Sequence, residues 1–367
     1  MKPNLFRLCL AGLALGPIAY AAPFLAIGDG AELFVTGMVG VRADSNIYTV
    51  LNATSDTIFD ISPGAEITFG KDSNLQGALT LVDAFSNYSS NSQLNTNLFS
   101  GDFRAGYNDG KMKLNLSTGF HETNQNSADI HGLTRRDIST LGGNGEVEIS
   151  QITSAAAGLN FTHSKFKRTG YATSDDYVVP INFYYKWTPK VDVSVGYQYR
   201  NYQTTIGPDT KDNFFNVGAR GEFTPLLSGE FNVGSTTRSF STGGSQSMLG
   251  LSAKLNYAIT PKTSLQLTSS NSPDTSPQGI QQKNFSLGGT VTSNISDQWS
   301  VRGGLSWRAI DYGTRTDDYY EGNLGATYVL NTYVNFVGSY VYRHNQSVIA
   351  SGVFSENVFS LSANLRY

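Results

Sequence analysis

The chain ends on Phe359-Ser-Leu-Ser-Ala-Asn-Leu-Arg-Tyr367. Phe359, Leu361, Ala363, Leu365 and Tyr367 share one register, while Ser360, Ser362, Asn364 and Arg366 share the other. Strict alternation with a period of two is a β-strand with one apolar face and one wet face. An edge strand of a soluble sandwich gives the same local pattern, so the preceding residues have to decide between the two.

The alternation recurs from Leu33 onward. It is clearest at Tyr177/Val179/Ile181/Phe183/Tyr185/Trp187, Val191/Val193/Val195/Tyr197/Tyr199, Phe215/Val217/Ala219, Leu249/Leu251/Ala253/Leu255/Tyr257 and Trp299/Val301/Gly303/Leu305/Trp307. In nearly every such segment the charged residues avoid the apolar register. Arg104, Lys186, Arg200, Arg220, Glu222, Glu230, Lys254, Arg302 and Arg308 all fall on the other one and are the candidate lining of a lumen. A basic side chain facing lipid at mid-membrane costs about 2–4 kcal/mol, so a transmembrane barrel demands this separation and a sandwich does not. Their mixture with acids argues against strong ion selectivity. Phe69, Tyr107, Trp187, Phe223, Tyr257, Trp299 and Tyr367 lie on the apolar register beside short turns, as an interfacial aromatic girdle would.

Composition agrees. Charged residues make up 15% and hydrophobic residues 39% of the chain, with 20 Tyr, 21 Phe and 38 Gly. A soluble domain of this length carries about 25% charge and 45–50% apolar residues. A barrel wall needs neither, because lipid covers one face and water the other. After the leader discussed below, no run approaches 18 apolar residues, which excludes helical membrane spans.

Short connections at 70–74, 108–111, 150–153, 188–190, 224–227, 258–262, 293–298 and 331–332 alternate with longer ones. The longer ones are 43–55, 86–97, 121–136, 164–175, 201–212, 235–244, 270–281, 310–316 and 345–352. Eight short and nine long connections imply an all-β, single antiparallel up-and-down barrel of about 18 strands over residues 31–367, with sixteen as the alternative count. Asp83 on the apolar register weakens the strand at 75–85, and 263–269 is the other insecure one. Both termini fall on the short-turn side, which predicts that both are periplasmic. Eighteen strands about 4.8 Å apart and tilted about 40° close to a backbone diameter of roughly 35 Å and a lumen of roughly 15–20 Å.

Residues 1–21 read as a cleaved signal peptide. Lys2 and Arg7 precede an apolar run from Leu8 to Ile18, and Ala19-Tyr20-Ala21 supplies a small-x-small cleavage site. Residues 22–30 are a short periplasmic segment, too short for a plug domain. The single cysteine, Cys9, lies in the leader, so cysteine chemistry is not expected in the mature chain. The formal charge is −3 for the whole chain, and about −5 without Lys2 and Arg7, which offers nothing to nucleic acid.

Arg42-Ala-Asp-Ser-Asn-Ile47, Ser55-Asp-Thr-Ile-Phe-Asp-Ile-Ser-Pro-Gly64 and the closing Leu365-Arg366-Tyr367 resemble the porin-2 family of outer-membrane β-barrels, often encoded beside exopolysaccharide synthesis genes. The terminal strand Phe359, Leu361, Ala363, Leu365, Tyr367 also resembles the closing strand that the barrel-assembly machinery reads. The resemblance implies a Gram-negative outer-membrane barrel tied to polysaccharide export or passive permeation, and carries over no functional residues. The expected partners are outer-membrane lipid and lipopolysaccharide, the assembly machinery, and small solutes or polysaccharide. The rival reading is a non-conducting surface scaffold or adhesion barrel whose external loops act.

No cofactor is expected and the chain does not read as an enzyme. His121, His131, His163 and His344 lie at or near the long-loop side, and serines are too abundant to single out a nucleophile. His121-Glu122 with His131 lacks the rigid spacing a metal centre needs. Asp44-Ser45-Asn46 offers oxygen ligands, but Asp and Asn at such spacing ordinarily bond their own backbone in a turn. Asp175-Asp176 and Asp317-Asp318 read as solvated loop acids.

Overall fold

The computed structural model describes residues 22–28, 30–127 and 130–367. The signal peptide expected at 1–21 lies outside them. Among the described residues nineteen strands form one sheet: β1 (Leu25–Ile27), β2 (Ala31–Asp44), β3 (Asp56–Phe69), β4 (Leu75–Tyr88), β5 (Thr96–Asn108), β6 (Met112–Ser127), β7 (Ile130–Ser150), β8 (Thr153–Phe166), β9 (Thr173–Thr188) and β10 (Val191–Thr204). The second half continues with β11 (Thr210–Thr224), β12 (Leu227–Phe240), β13 (Ser245–Thr260), β14 (Thr263–Thr275), β15 (Gln281–Asn294), β16 (Trp299–Asp311), β17 (Thr316–Val329), β18 (Val334–Gln346) and β19 (Phe354–Arg366).

Each of β2 to β19 pairs antiparallel with its chain neighbours, and β19 closes onto β2, giving an 18-stranded barrel without a free edge. Both insecure segments, 75–85 and 263–269, are wall strands. The short β1 pairs with β2 through Leu25↔Leu33 and Ile27↔Ala31, in line with the end of β19. Tyr367 completes the seam there, exchanging backbone bonds with Val35 at 2.6 and 2.9 Å.

Burial is inverted relative to a water-soluble domain. Leu305 is 75% exposed, Trp187 71% and Phe359 59%, all on the apolar register. On the opposite register Asp60, Asp212, Asn232, Arg238 and Glu356 are buried. The apolar register therefore faces outward and the polar register faces the lumen. Among the described residues no helix is long and apolar enough to cross a membrane, a statement that does not bear on crossing by strands.

The long connections are shorter than the sequence implies, because the strands outrun the apolar band. The segment expected as a loop at 121–136 is mostly strand: Glu122 pairs with Asp137 and Gln125 with Thr134. Likewise β12 runs on to Phe240, leaving a connection at 241–244. The backbone ladder continues past the height at which alternation carries a burial advantage, since backbone groups still need partners there.

Candidate pore lumen and constriction

The middle of the lumen is lined by amide side chains set against strand glycines. Asn182 pairs with Gly196, Gly196 with Asn216, Asn216 with Gly234, and Asn232 with Gly218. The same juxtaposition recurs at Gly142/Asn160, Asn144/Gly158 and Gly304/Asn323. At Gly196 and Gly218 the neighbouring asparagine amide takes up the space a Cβ would need. Small residues on the wall thus let polar amides lie flat along it, producing a neutral hydrogen-bonding surface.

Several charges inside the lumen are paired. Arg42 forks onto Asp60 at 2.6 and 3.1 Å, and Ser86 donates to the same carboxylate at 2.6 Å. Arg343 bridges Glu321 and Glu356 at 3.1 and 2.8 Å. Arg220 donates to Glu146 at 2.9 and 2.5 Å and to Asp192 at 3.0 Å, with its guanidinium 3.4 Å from the Tyr184 ring centroid. Arg366 reaches Glu66 at 2.9 Å and lies over Phe34. Matched pairs of this kind leave little net field for excluding either sign of ion.

The long-loop end of the lumen is narrowed by chain folded inward. β14 leaves β13 after Asn271↔Leu251, although β13 continues along β12 as far as Ser245. The far end of β14 pairs only with β15, from Ser272↔Asn284 to Thr275↔Gln281. This detached hairpin tip crosses the inner face of β11 to β13. Arg200 on β10 donates to the Pro273 carbonyl at 3.2 Å and to Asp274 Oδ1 at 3.4 Å. Arg238 on β12 donates to the Asp274 carbonyl at 2.6 Å and to Gln281 Oε1 at 2.9 Å. Ala172 N–H donates to the Pro277 carbonyl at 2.8 Å, so the tip also meets the β8–β9 connection. Gly279 packs on Gly207: a Cβ on Gly207 would strike the Gly279 backbone, and one on Gly279 would strike the Ile206 carbonyl.

A second inward element is the 45–55 connection. Ile47 is 2% exposed and packs on the inward-facing Ile58 and Tyr88. Asn46 holds it by donating to the Val50 and Ser355 carbonyls at 2.7 and 3.0 Å. Asp44 Oδ1 accepts from Asn46 N–H at 2.8 Å, a turn bond two residues along the chain.

All nine residues singled out in the sequence as lumen lining lie on the inward register, but they are not equivalent. Arg104, Lys254 and Arg302 stand on the wall, with Lys254 opposite Glu230. Arg308 is buried beneath the Tyr319 ring. Lys186 and Glu222 sit at the short-turn rim, where Lys186 donates to the Gln151 carbonyl at 3.0 Å and Glu222 pairs with Lys190 at 2.6 Å. Only Arg200 touches the constriction. Arg238, Asp274 and Asp212, which complete it, were not among the sequence candidates.

Trp187, Tyr257, Trp299 and Tyr367 are outward and exposed at the ends of their strands or of the chain; Phe69, Tyr107 and Phe223 there are half-buried. Phe69 stacks on Phe103, Trp299 tilts against Tyr328 and Tyr367 against Tyr333.

The histidines are scattered. His121 faces Asp102 at 3.3 Å on the inward register. His163 pairs with Asp175 at 2.7 Å on the outer wall, and His344 contacts Ser355 at 2.9 Å. Of His131, only the backbone within β7 lies among the described residues. Among the described residues no three His, Cys, Asp or Glu side chains converge as a metal-ligand group.

No curated protein matches the chain. Among solved structures, Pseudomonas aeruginosa OccK8 (OprE) aligns with a TM-score of 0.50 at 10% identity, covering 94% of this chain and 100% of the other. Pseudomonas aeruginosa OccK2 (OpdF) aligns with a TM-score of 0.50 at 9% identity, covering 92% and 98%. Identities this low speak for the fold alone. The model of the family described as putative beta-barrel porin 2 matches residues 209–367. That span includes the closing Leu365-Arg366-Tyr367, but not residues 42–64. The matched strands and the unmatched ones form one closed sheet, and over residues 209–367 the chain is similar to the putative beta-barrel porin 2 family.

Proposed function

We propose that the barrel is a water-filled pore for passive permeation of small polar solutes, saccharides among them. The observation that carries this reading is the inner register itself. It is predominantly polar, with neutral amides over the middle and paired charges above and below, around a few apolar contacts such as Ile58 and Ile310. Hydroxyl-rich solutes can exchange bonds with water for bonds with such amides at little net cost. Export of an exopolysaccharide strand is a finer version of the same reading. It draws on the same lining, and requires the hairpin tip to withdraw.

The short turns, β1 and Tyr367 share one end of the barrel, which supports a periplasmic location for both termini. The outward aromatics at that end would meet the headgroups of outer-membrane lipid, and the long-loop end would meet lipopolysaccharide. The β19–β2 seam is the element for the assembly machinery to close. The rival reading, a non-conducting surface scaffold, is favoured by one observation: the 45–55 connection and the β14–β15 tip both occupy the mouth.

Swelling of liposomes carrying the refolded barrel separates the two. A pore admits sugars with a rate that falls as sugar size rises. A folded barrel that leaves the liposomes as tight as protein-free ones would overturn the pore reading.

A further inference from the structure

The socket that holds the hairpin tip has a fixed half and an exchangeable half. Asp176 and Asp212, on the barrel wall, hold the backs of the two guanidiniums: Arg200 Nε donates to Asp176 at 2.8 Å, and Arg238 forks onto Asp212 at 2.7 Å through both Nε and Nη2. The remaining N–H groups, Arg200 Nη1 and Nη2 and Arg238 Nη1, turn toward the tip. The tip gives Arg200 the Asp274 carboxylate and the Pro273 carbonyl, and it gives Arg238 the Asp274 carbonyl, Thr275 Oγ1 and Gln281 Oε1, all of them accepting. A pair of guanidinium edges presenting N–H groups in this way is a receptor for a carboxylate.

The two halves differ in how firmly they are held. The Asp212 side chain is 7% exposed and that of Asp274 is 41% exposed. Wall strands flank Asp176 and Asp212, whereas the tip beyond Asn271 is paired only within its own hairpin. Charge also permits an exchange. Arg200 and Arg238 cancel Asp176 and Asp212, so Asp274 leaves the cluster with one surplus negative charge. A solute carboxylate taking its place leaves that charge unchanged.

We propose that Arg200 and Arg238 form a carboxylate-binding site at the long-loop end of the lumen, that Asp274 occupies it when the tip is docked, and that a carboxylate-bearing solute competes with Asp274 and releases the tip. This rests on the pore reading and adds its solute class and its gate. With the tip docked the Arg200 and Arg238 side chains are only 18% and 4% exposed and their tip-facing N–H groups are occupied, so the solute binds the released state more tightly. That differential affinity is what a ligand needs to shift a conformational equilibrium. Release breaks two further contacts, Ala172 to Pro277 and Gly207 against Gly279, both between connections at the mouth.

The test is single-channel recording in planar bilayers with glucuronate, and with glucose at equal concentration as the uncharged control. The proteins are wild type, Arg200→Gln, Asp274→Asn, and Ala172→Cys/Pro277→Cys in a chain whose one natural cysteine, Cys9, is replaced by serine. Glucuronate should raise the fraction of time in the larger conductance state about fivefold in wild type, by the competition argued above, and glucose should not. Arg200→Gln should abolish that response. Asp274→Asn should favour the larger state without any solute. The oxidised cysteine pair, verified by its shift on a gel, should hold the smaller state until reductant is added.

Equal effects of glucuronate and glucose, a single conductance level indifferent to both, or an oxidised pair that gates as before would each overturn the proposal. The pore reading fails differently: a folded barrel stays silent even when residues 273–281 are replaced by a short glycine–serine turn.

Discussion

Arg220 and Glu146 are joined by two hydrogen bonds of 2.9 and 2.5 Å although 74 residues and the three strands β8, β9 and β10 separate them. Side chains so far apart along a sheet meet only when the sheet curves and both point to its concave side. The pair therefore ties the curvature of the wall to its polarity. It also fixes the inward register of two distant strands by one contact.

The side chains of this pair are only about a quarter exposed, at 27% and 25%. Charge-assisted hydrogen bonds in such a setting contribute about 1.5–3 kcal/mol. Arg220→Met and Glu146→Gln should each lower the urea midpoint of the folded barrel. The double variant should lose less than the two single losses combined. Additive losses in a double-mutant cycle would mean that the two side chains are not coupled.

The two faces of β16 should respond oppositely to the same substitution. Leu305→Arg places a charge on the lipid face and should cost about 2–4 kcal/mol, or block insertion. Ser306→Arg, one residue on, points into the lumen and should fold normally. Yields of heat-modifiable barrel in lipid vesicles check this. Equal yields would contradict the assignment of faces.

Tyr367 contributes to the seam through its backbone bonds to Val35 and its ring contacts with Phe24 and Tyr333. Removing it deletes the lowest backbone pair between the end of the chain and β2. The truncated chain should fold more slowly, and accumulate as an unclosed species that keeps the mobility of the unfolded form on unheated gels. Tyr367→Phe keeps the ring and the backbone and should behave as wild type.

In the 109–111 turn, the Asp109 carboxylate accepts from Met112 N–H at 2.7 Å and Lys111 N–H at 2.9 Å, which hold its pKa below the ordinary carboxylate value. A depressed folded-state pKa stabilises above the unfolded value and is lost as pH falls through the folded one. The stability difference between wild type and Asp109→Ala should be present at pH 7, and should shrink progressively as pH falls below about 4. A difference independent of pH would mean that the charge on Asp109 is irrelevant to the turn.

The barrel was legible because alternation and charge placement carry the same information. At Val191 to Tyr199 every odd residue is apolar, and at Asp192 to Arg200 the even ones include the charges. The constriction was not legible, for a physical reason. Above the apolar band the outward residues turn polar, as at Thr237 and Ser239, so the contrast that reveals register disappears. Arg238 was consequently read as part of a loop, although carrying the parity of Phe231 and Val233 a few residues further would have placed it inward. Nothing in 270–281 signals that β14 abandons β13, because that departure depends on Arg200 and Arg238, distant in sequence. Asp83 illustrates the converse. It lies on the outward register opposite Phe99, as its parity requires, and its strand forms regardless.

Single-channel conductance of the refolded wild-type barrel in a planar bilayer tests the central claim most directly. A water-filled pore gives discrete steps whose size rises with salt concentration, and the narrowed mouth predicts larger steps when residues 273–281 are shortened. Electrical silence from a heat-modifiable, folded barrel, with and without that shortening, would contradict the account.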